Sequence, residues 1–74
     1  MENVEQRVRE VITDVVTLPK DVELSFELSR LGMDSLDVVE IVQNLEEEFD
    51  VKIDDAVAPQ WKTLGDVVSF VESL

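Results

Sequence analysis

Apolar residues recur along this chain at helical spacing. Val4, Val8, Val11, Ile12 and Val15 fall on one face at three- and four-residue intervals. Asn3 precedes them and Gln6 follows three residues later, the form of a capping box. The spacing predicts a first helix over about Val4 to Val16. Its stripe is rich in Val, a mediocre helix former, so packing rather than propensity must hold it. Pro19 disfavours helix at Leu18 and ends the element. A second stripe fills residues 35–49. Projected at about 100° per residue, Val38, Val39, Val42, Leu45 and Phe49 form one arc, with Asp37, Glu40, Asn44, Glu47 and Glu48 opposite. Leu36 falls outside the apolar arc and is expected to lie exposed at the head of the acidic face.

The last stripe is Leu64, Val67, Val68, Val71 and Leu74, with Phe70 at its edge. It opens on Thr63-Leu64-Gly65-Asp66, another capping-box pattern, and predicts a fourth helix running to the final residue. Before it, Asp54 or Asp55 is placed to cap a short third helix over Ala56 to Ala58, with Pro59 limiting its length. Residues 17–33 are too long to be a structureless connection in so small a domain. Leu18, Val22, Leu24, Phe26, Leu28 and Leu31 should pin them over the core, with Phe26 the expected buried anchor and a helical turn around Phe26 to Arg30. The fold class expected is all-α: a small four-helix bundle, three main helices plus a short third helix, with a long structured loop between helices one and two.

Composition narrows the function. At 74 residues the chain is expected to be one domain spanning 1–74, and a monomer. Its hydrophobic residues, 45% of the total and periodic, argue against disorder. It has no Cys and no His, so thiolate chemistry, zinc–sulfur sites and the commonest general base are absent. No run approaches the roughly 20 apolar residues of a membrane span. The amino end carries no secretory pattern, which makes cytoplasm the default location. The net charge is −12. That repels nucleic acid and anionic lipid and favours basic protein surfaces.

The candidate chemistry gathers at the head of the second helix. Asp34 is placed as its N-cap and Asp37 as the reciprocal partner. Ser35 becomes the first helical residue, with its hydroxyl outward beside the positive end of the helix dipole. Free N–H groups and the dipole together favour an anion there, a phosphate included. Taken alone, Asp-Ser is an ordinary helix start. Ser35 has no His or Cys to activate it, and neither Lys52 nor Lys62 is near it in sequence. No glycine loop cradles phosphate. Ser35 therefore reads as a substrate of another enzyme, and the chain as no enzyme itself. Glu46, Glu47 and Glu48 sit at the carboxyl end of the helix, where negative charge opposes the dipole. Their retention points to binding. Asp50-Val51-Lys52-Ile53-Asp54-Asp55 is not a calcium loop, because Lys52 takes a ligand position, and no metal site is expected.

The whole run Leu31-Gly32-Met33-Asp34-Ser35-Leu36-Asp37, then Glu40, then Leu45-Glu46-Glu47-Glu48-Phe49-Asp50, resembles the acyl carrier protein family and its polyketide and peptidyl relatives. The resemblance implies a 4′-phosphopantetheine joined to Ser35 through a phosphodiester, its terminal thiol holding an acyl group as a thioester. It implies two kinds of partner: a phosphopantetheinyl transferase, and acyl-processing enzymes of fatty-acid or polyketide type with basic docking patches. Asp34, Leu36, Asp37, Glu40 and Glu47 would meet those patches. An acyl chain could retreat between the helices, among Val39, Val42, Phe49, Val57 and Val68. Ser29-Arg30 stands where the family usually has acids, and Gln43 where a hydrophobic residue is common. Trp61-Lys62-Thr63 is similar to some specialised carriers, D-alanyl and polyketide types included. Trp61 itself is either a lid over the core or a wall of the cargo pocket. Two other classes stay open: an unmodified acidic helical interaction module, and a small divalent-ion sensor.

Overall fold

The computed structural model describes residues 3–54 and 56–74. Three α-helices carry the domain: α1 (Val4–Val15), α2 (Ser35–Phe49) and α3 (Leu64–Glu72). Two short 3₁₀ turns, Leu28–Leu31 and Ala58–Gln60, sit in the connections. Helix α1 packs against both α2 and α3. Val8, Ile12, Leu45, Leu64 and Val67 are the most completely buried side chains, one layer from each helix. Among the described residues no helix is long and apolar enough to cross a membrane.

The helix boundaries follow local rules. Asn3 accepts a hydrogen bond from the Gln6 N–H at the start of α1. The helix stops at Val15, one residue short of expectation, because Val16 is already extended (φ −136°). Helix α2 matches its expected span and closes on Asp50, which is left-handed at φ 54°. Asp is one of the few residues that visits this region readily. Helix α3 ends at Glu72, and Leu74 is 57% exposed, so the stripe does not reach the final residue.

Four expectations need correction. Among the described residues the short third helix expected over Ala56 to Ala58 is not an α-helix. Residues 58–60 form a single 3₁₀ turn with Pro59 inside it rather than beyond it, because Pro lacks only an N–H that the first turn leaves free anyway. The turn's N-cap is Val57, which gives no side-chain cap; Asp54 accepts from the Ala56 N–H at 2.8 Å just before it, and the other expected cap, Asp55, lies outside the described residues. In α2 the buried face is Ile41, Val42 and Leu45, whereas Val39 is 51% exposed. In the long connection Leu28, not Phe26, is the buried anchor; Phe26 is half-buried and Leu24 is exposed. The helical turn there is Leu28–Leu31 rather than Phe26 to Arg30, and Gly32 at φ 66° ends it in a conformation that suits glycine.

Backbone pairing explains why Leu28 wins. The connection runs antiparallel past the start of α3, through a bridge between Glu27 and Thr63. The Leu28 N–H donates to the Lys62 carbonyl (2.9 Å), the Leu64 N–H to the Phe26 carbonyl (3.0 Å), and the Gly65 N–H to the Leu24 carbonyl (2.7 Å). A Cβ on Gly65 would stand 3.1 Å from that Leu24 oxygen, so a larger residue would push the connection back by a few tenths of an ångström. These bonds turn Leu28 into the core and leave Leu24 outside.

Candidate functional site

The head of α2 is built by a complete capping box. The Asp34 carboxylate accepts from the Asp37 N–H at 2.9 Å, and the Asp37 carboxylate accepts from the Asp34 N–H at 3.3 Å. The box fixes Ser35 as the first helical residue. Its side chain is exposed. Its hydroxyl makes no hydrogen bond with any described residue. The N–H groups of Ser35 and Leu36 lack acceptors four residues back, as at any helix start. Both points match the outward hydroxyl and unpaired amides expected from sequence.

Next to Ser35 an exposed leucine heads a polar, acidic face of α2. Leu36 is 72% exposed, as its position outside the arc required. Glu40, Gln43 and Glu47 follow it at four-, three- and four-residue steps, so the four share one face, and all are exposed. Asp34 and Asp37 stand at the head of that face with part of their hydrogen-bonding capacity spent on the cap. The structure thus brings Leu36, Glu40 and Glu47 onto one accessible face of α2, with Ser35 one step round the helix from Leu36 at its head.

The other acids at the carboxyl end of α2 have local employment. The Ile53 N–H donates to the Glu46 carboxylate at 2.8 Å. Glu48 pairs with Arg7 at 2.9 Å, and Arg7 also donates to the Glu48 carbonyl at 2.7 Å while its guanidinium lies 4.5 Å over the Phe49 ring. Opposing the helix dipole is therefore offset by contacts within the fold for two of the three glutamates. Only Glu47 keeps the sequence argument for a binding role.

Beside Ser35 a groove of about 830 Å³ runs between α2 and the second 3₁₀ turn. Val38, Val39, Val42, Pro59 and Trp61 line it, with Gln43 and Glu46 at its edge. Behind it a smaller hollow of about 200 Å³ reaches the core beside Ile12, Leu28, Met33 and Ile41. Of the interior lining expected from sequence, Val39 and Val42 belong to the outer groove, while Phe49, Val57 and Val68 bound neither space. Met33, Ile41 and Pro59 take their places. Their signal in the sequence was weak, because each touches the site from a segment whose orientation is set elsewhere. Trp61 is half-buried, packs against the core and borders both spaces.

These residues fit a phosphopantetheine arm: an unencumbered hydroxyl, two unpaired amides for its phosphate, and an apolar groove beginning at the same residue. Residues 6–71 match the family model described as a phosphopantetheine attachment site. The fold is similar to that of a proposed acyl carrier protein from Mycobacterium tuberculosis, with a TM-score of 0.85 and 29% identity over 96% of this chain and 97% of that one. Members of the family carry a covalent 4′-phosphopantetheine and are carriers rather than catalysts. With nearly all of its length inside the matched model, the chain belongs to the phosphopantetheine-attachment family and is a carrier protein of the acyl-carrier type.

Proposed function

We propose that Ser35 is the attachment residue and that residues 1–74 act as one carrier domain, delivering acyl groups to fatty-acid or polyketide-type enzymes in the cytoplasm. The observation that carries this reading is the bare, exposed Ser35 hydroxyl at the capped start of α2, opening onto an apolar groove. The arm supplies a terminal thiol on which an acyl group is held as a thioester. The chain's own part is positional. Asp34 and Asp37 hold the first turn so that Ser35 faces a phosphopantetheinyl transferase. The free N–H groups and the helix dipole favour the phosphate once it is attached. Asp34, Leu36, Asp37, Glu40 and Glu47 form the docking surface for basic, partly apolar patches on partner enzymes. Charge complementarity of this kind sets on-rate and salt dependence more than tightness, which suits a monomeric shuttle that must leave.

Incubation with coenzyme A and a broad phosphopantetheinyl transferase, read by mass spectrometry, tests the reading. One phosphopantetheine on Ser35, abolished by Ser35→Ala, is expected. An unmodified chain that still binds a basic partner would make it an acidic interaction module instead.

A further inference from the structure

Ser35 heads a straight lane down α2. At about 100° per residue, Val39, Val42 and Glu46 each fall within about 40° of the line through Ser35, at rises of about 6, 10.5 and 16.5 Å. Val38 flanks the lane at about 4.5 Å and Gln43 flanks it at about 12 Å. The outer groove keeps to this lane. Ser35 and Glu46 are the first and last residues of α2 that line it, and Pro59 and Trp61 form its far wall.

Two side chains along it have no employment in the fold. Val39 is apolar yet 51% exposed. Gln43 is exposed, and its amide makes no hydrogen bond with any described residue. Glu46, by contrast, is already tied to the Ile53 N–H at 2.8 Å.

The phosphopantetheine arm carries matching groups in the same order. From the serine oxygen to its sulfur it has about fourteen bonds, which reach about 16 Å at an extended rise of about 3.5 Å for three. On that scale its dimethyl carbon comes at about 5 Å, its first amide at about 7–8 Å, its two-carbon apolar link at about 10 Å and its second amide at about 12 Å. The dimethyl carbon therefore falls against Val38 and Val39, the link against Val42, and the second amide against Gln43. The first amide falls between Val39 and Val42, where the open side of the groove leaves it to water. The sulfur arrives at Glu46.

Resting on the attachment at Ser35, we propose that Gln43 is a positioning residue whose side-chain amide holds the second amide of the arm, laying the unloaded arm along α2 with its sulfur beside Glu46. The occupant of the groove is the arm because the two begin at one residue and have one length. A glutamine offers a donor and an acceptor, and so does the arm's amide, so the pair is satisfied on both sides. A partner docked on Leu36, Glu40 and Glu47 then meets the sulfur at one place, rather than anywhere within the arm's reach of Ser35.

The test uses isotope-labelled protein, phosphopantetheinylated and with its thiol free. Nuclear Overhauser contacts are expected from the arm's methyls to Val38 and Val39, and from its second amide to the Gln43 side chain. None is expected to Ile41 or Val67, which are buried in the core. The rate of the thiol with a neutral pyridyl disulfide reads the fraction of arms lying free. It should be slower than that of free pantetheine. Gln43→Leu should raise it about fivefold, the worth of about one hydrogen bond, and should remove the second-amide contact. The urea midpoint should stay where it was, because the residue is exposed and unbonded. A thiol as reactive in the unaltered protein as in free pantetheine, arm contacts to Ile41 or Val67, or a rate that Gln43→Leu leaves unmoved would each overturn this inference and leave the attachment intact. If the transferase leaves Ser35 bare, the attachment reading falls and this inference falls with it.

Discussion

Two helices of this protein begin with the same device and use it differently. Helix α2 opens on Asp34 and Asp37, helix α3 on Thr63 and Asp66, each a complete capping box. At the first helical position α2 has Ser35, exposed and unbonded, while α3 has Leu64, wholly buried. The α3 box is also the more heavily tied. The Asp66 carboxylate accepts from the N–H groups of both Lys62 and Thr63, at 2.9 and 3.0 Å. These two backbone donors, Lys62 first, hold the Asp66 carboxyl below its ordinary pKa of 3.8. One box joins segments of the fold, and the other presents a residue to the outside. A cap fixes where a helix starts. What lies against its first residue decides whether that start is structure or site.

The widest gap between the two heads should appear at that first position. Leu64→Ala should cost about 2–5 kcal/mol through the cavity it leaves. That is much of the stability of a domain this small, so urea denaturation should show it largely unfolded under mild conditions. Thr63→Ala and Asp34→Ala each remove one cap and should cost about 1 kcal/mol, seen as a lower urea midpoint with an unchanged slope. Acid should weaken the α3 head. Because the Asp66 carboxyl titrates lower in the folded state than in the unfolded chain, its contribution is complete above 3.8 and is lost as pH falls through its folded value. Asp66→Asn should remove that part of the acid sensitivity, which pH-dependent denaturation of the two proteins would reveal.

Smaller effects belong to the exposed head. Glu40→Lys and Glu47→Lys should change stability within about 0.5 kcal/mol, as exposed substitutions do. They should slow turnover by a partner enzyme at low salt and lose that effect as salt rises, in steady-state assays across ionic strength. Ser35→Ala should shift the urea midpoint least of all while abolishing modification. A Ser35→Ala protein that unfolds would make the two heads alike and the serine structural.

Both caps and the span of α2 were legible in the sequence, because a capping box is a contact between residues three apart. The buried face of α2 was not. Val38, Val39, Ile41 and Val42 put apolar side chains in four of five successive positions, so several arcs suit a lone helix. The position of α1 chose Ile41, Val42 and Leu45 and left Val39 in the groove. Likewise the size of Phe26 suggested an anchor, and pairing with residues 62–65 chose Leu28. The groove beside Ser35 was beyond reach for the same reason, since its far wall comes from Pro59 and Trp61.

The sequence by itself determined the elements with short-range causes: helix starts, the exposed Leu36, the outward Ser35 and the excess of negative charge. Tertiary structure alone decided which acids are free, how the long connection is pinned, and that Trp61 stands between an open groove and the core. The physical reason is range. Caps and turns are settled among residues a few positions apart, whereas burial and cavities are settled by side chains that meet only when distant segments pack.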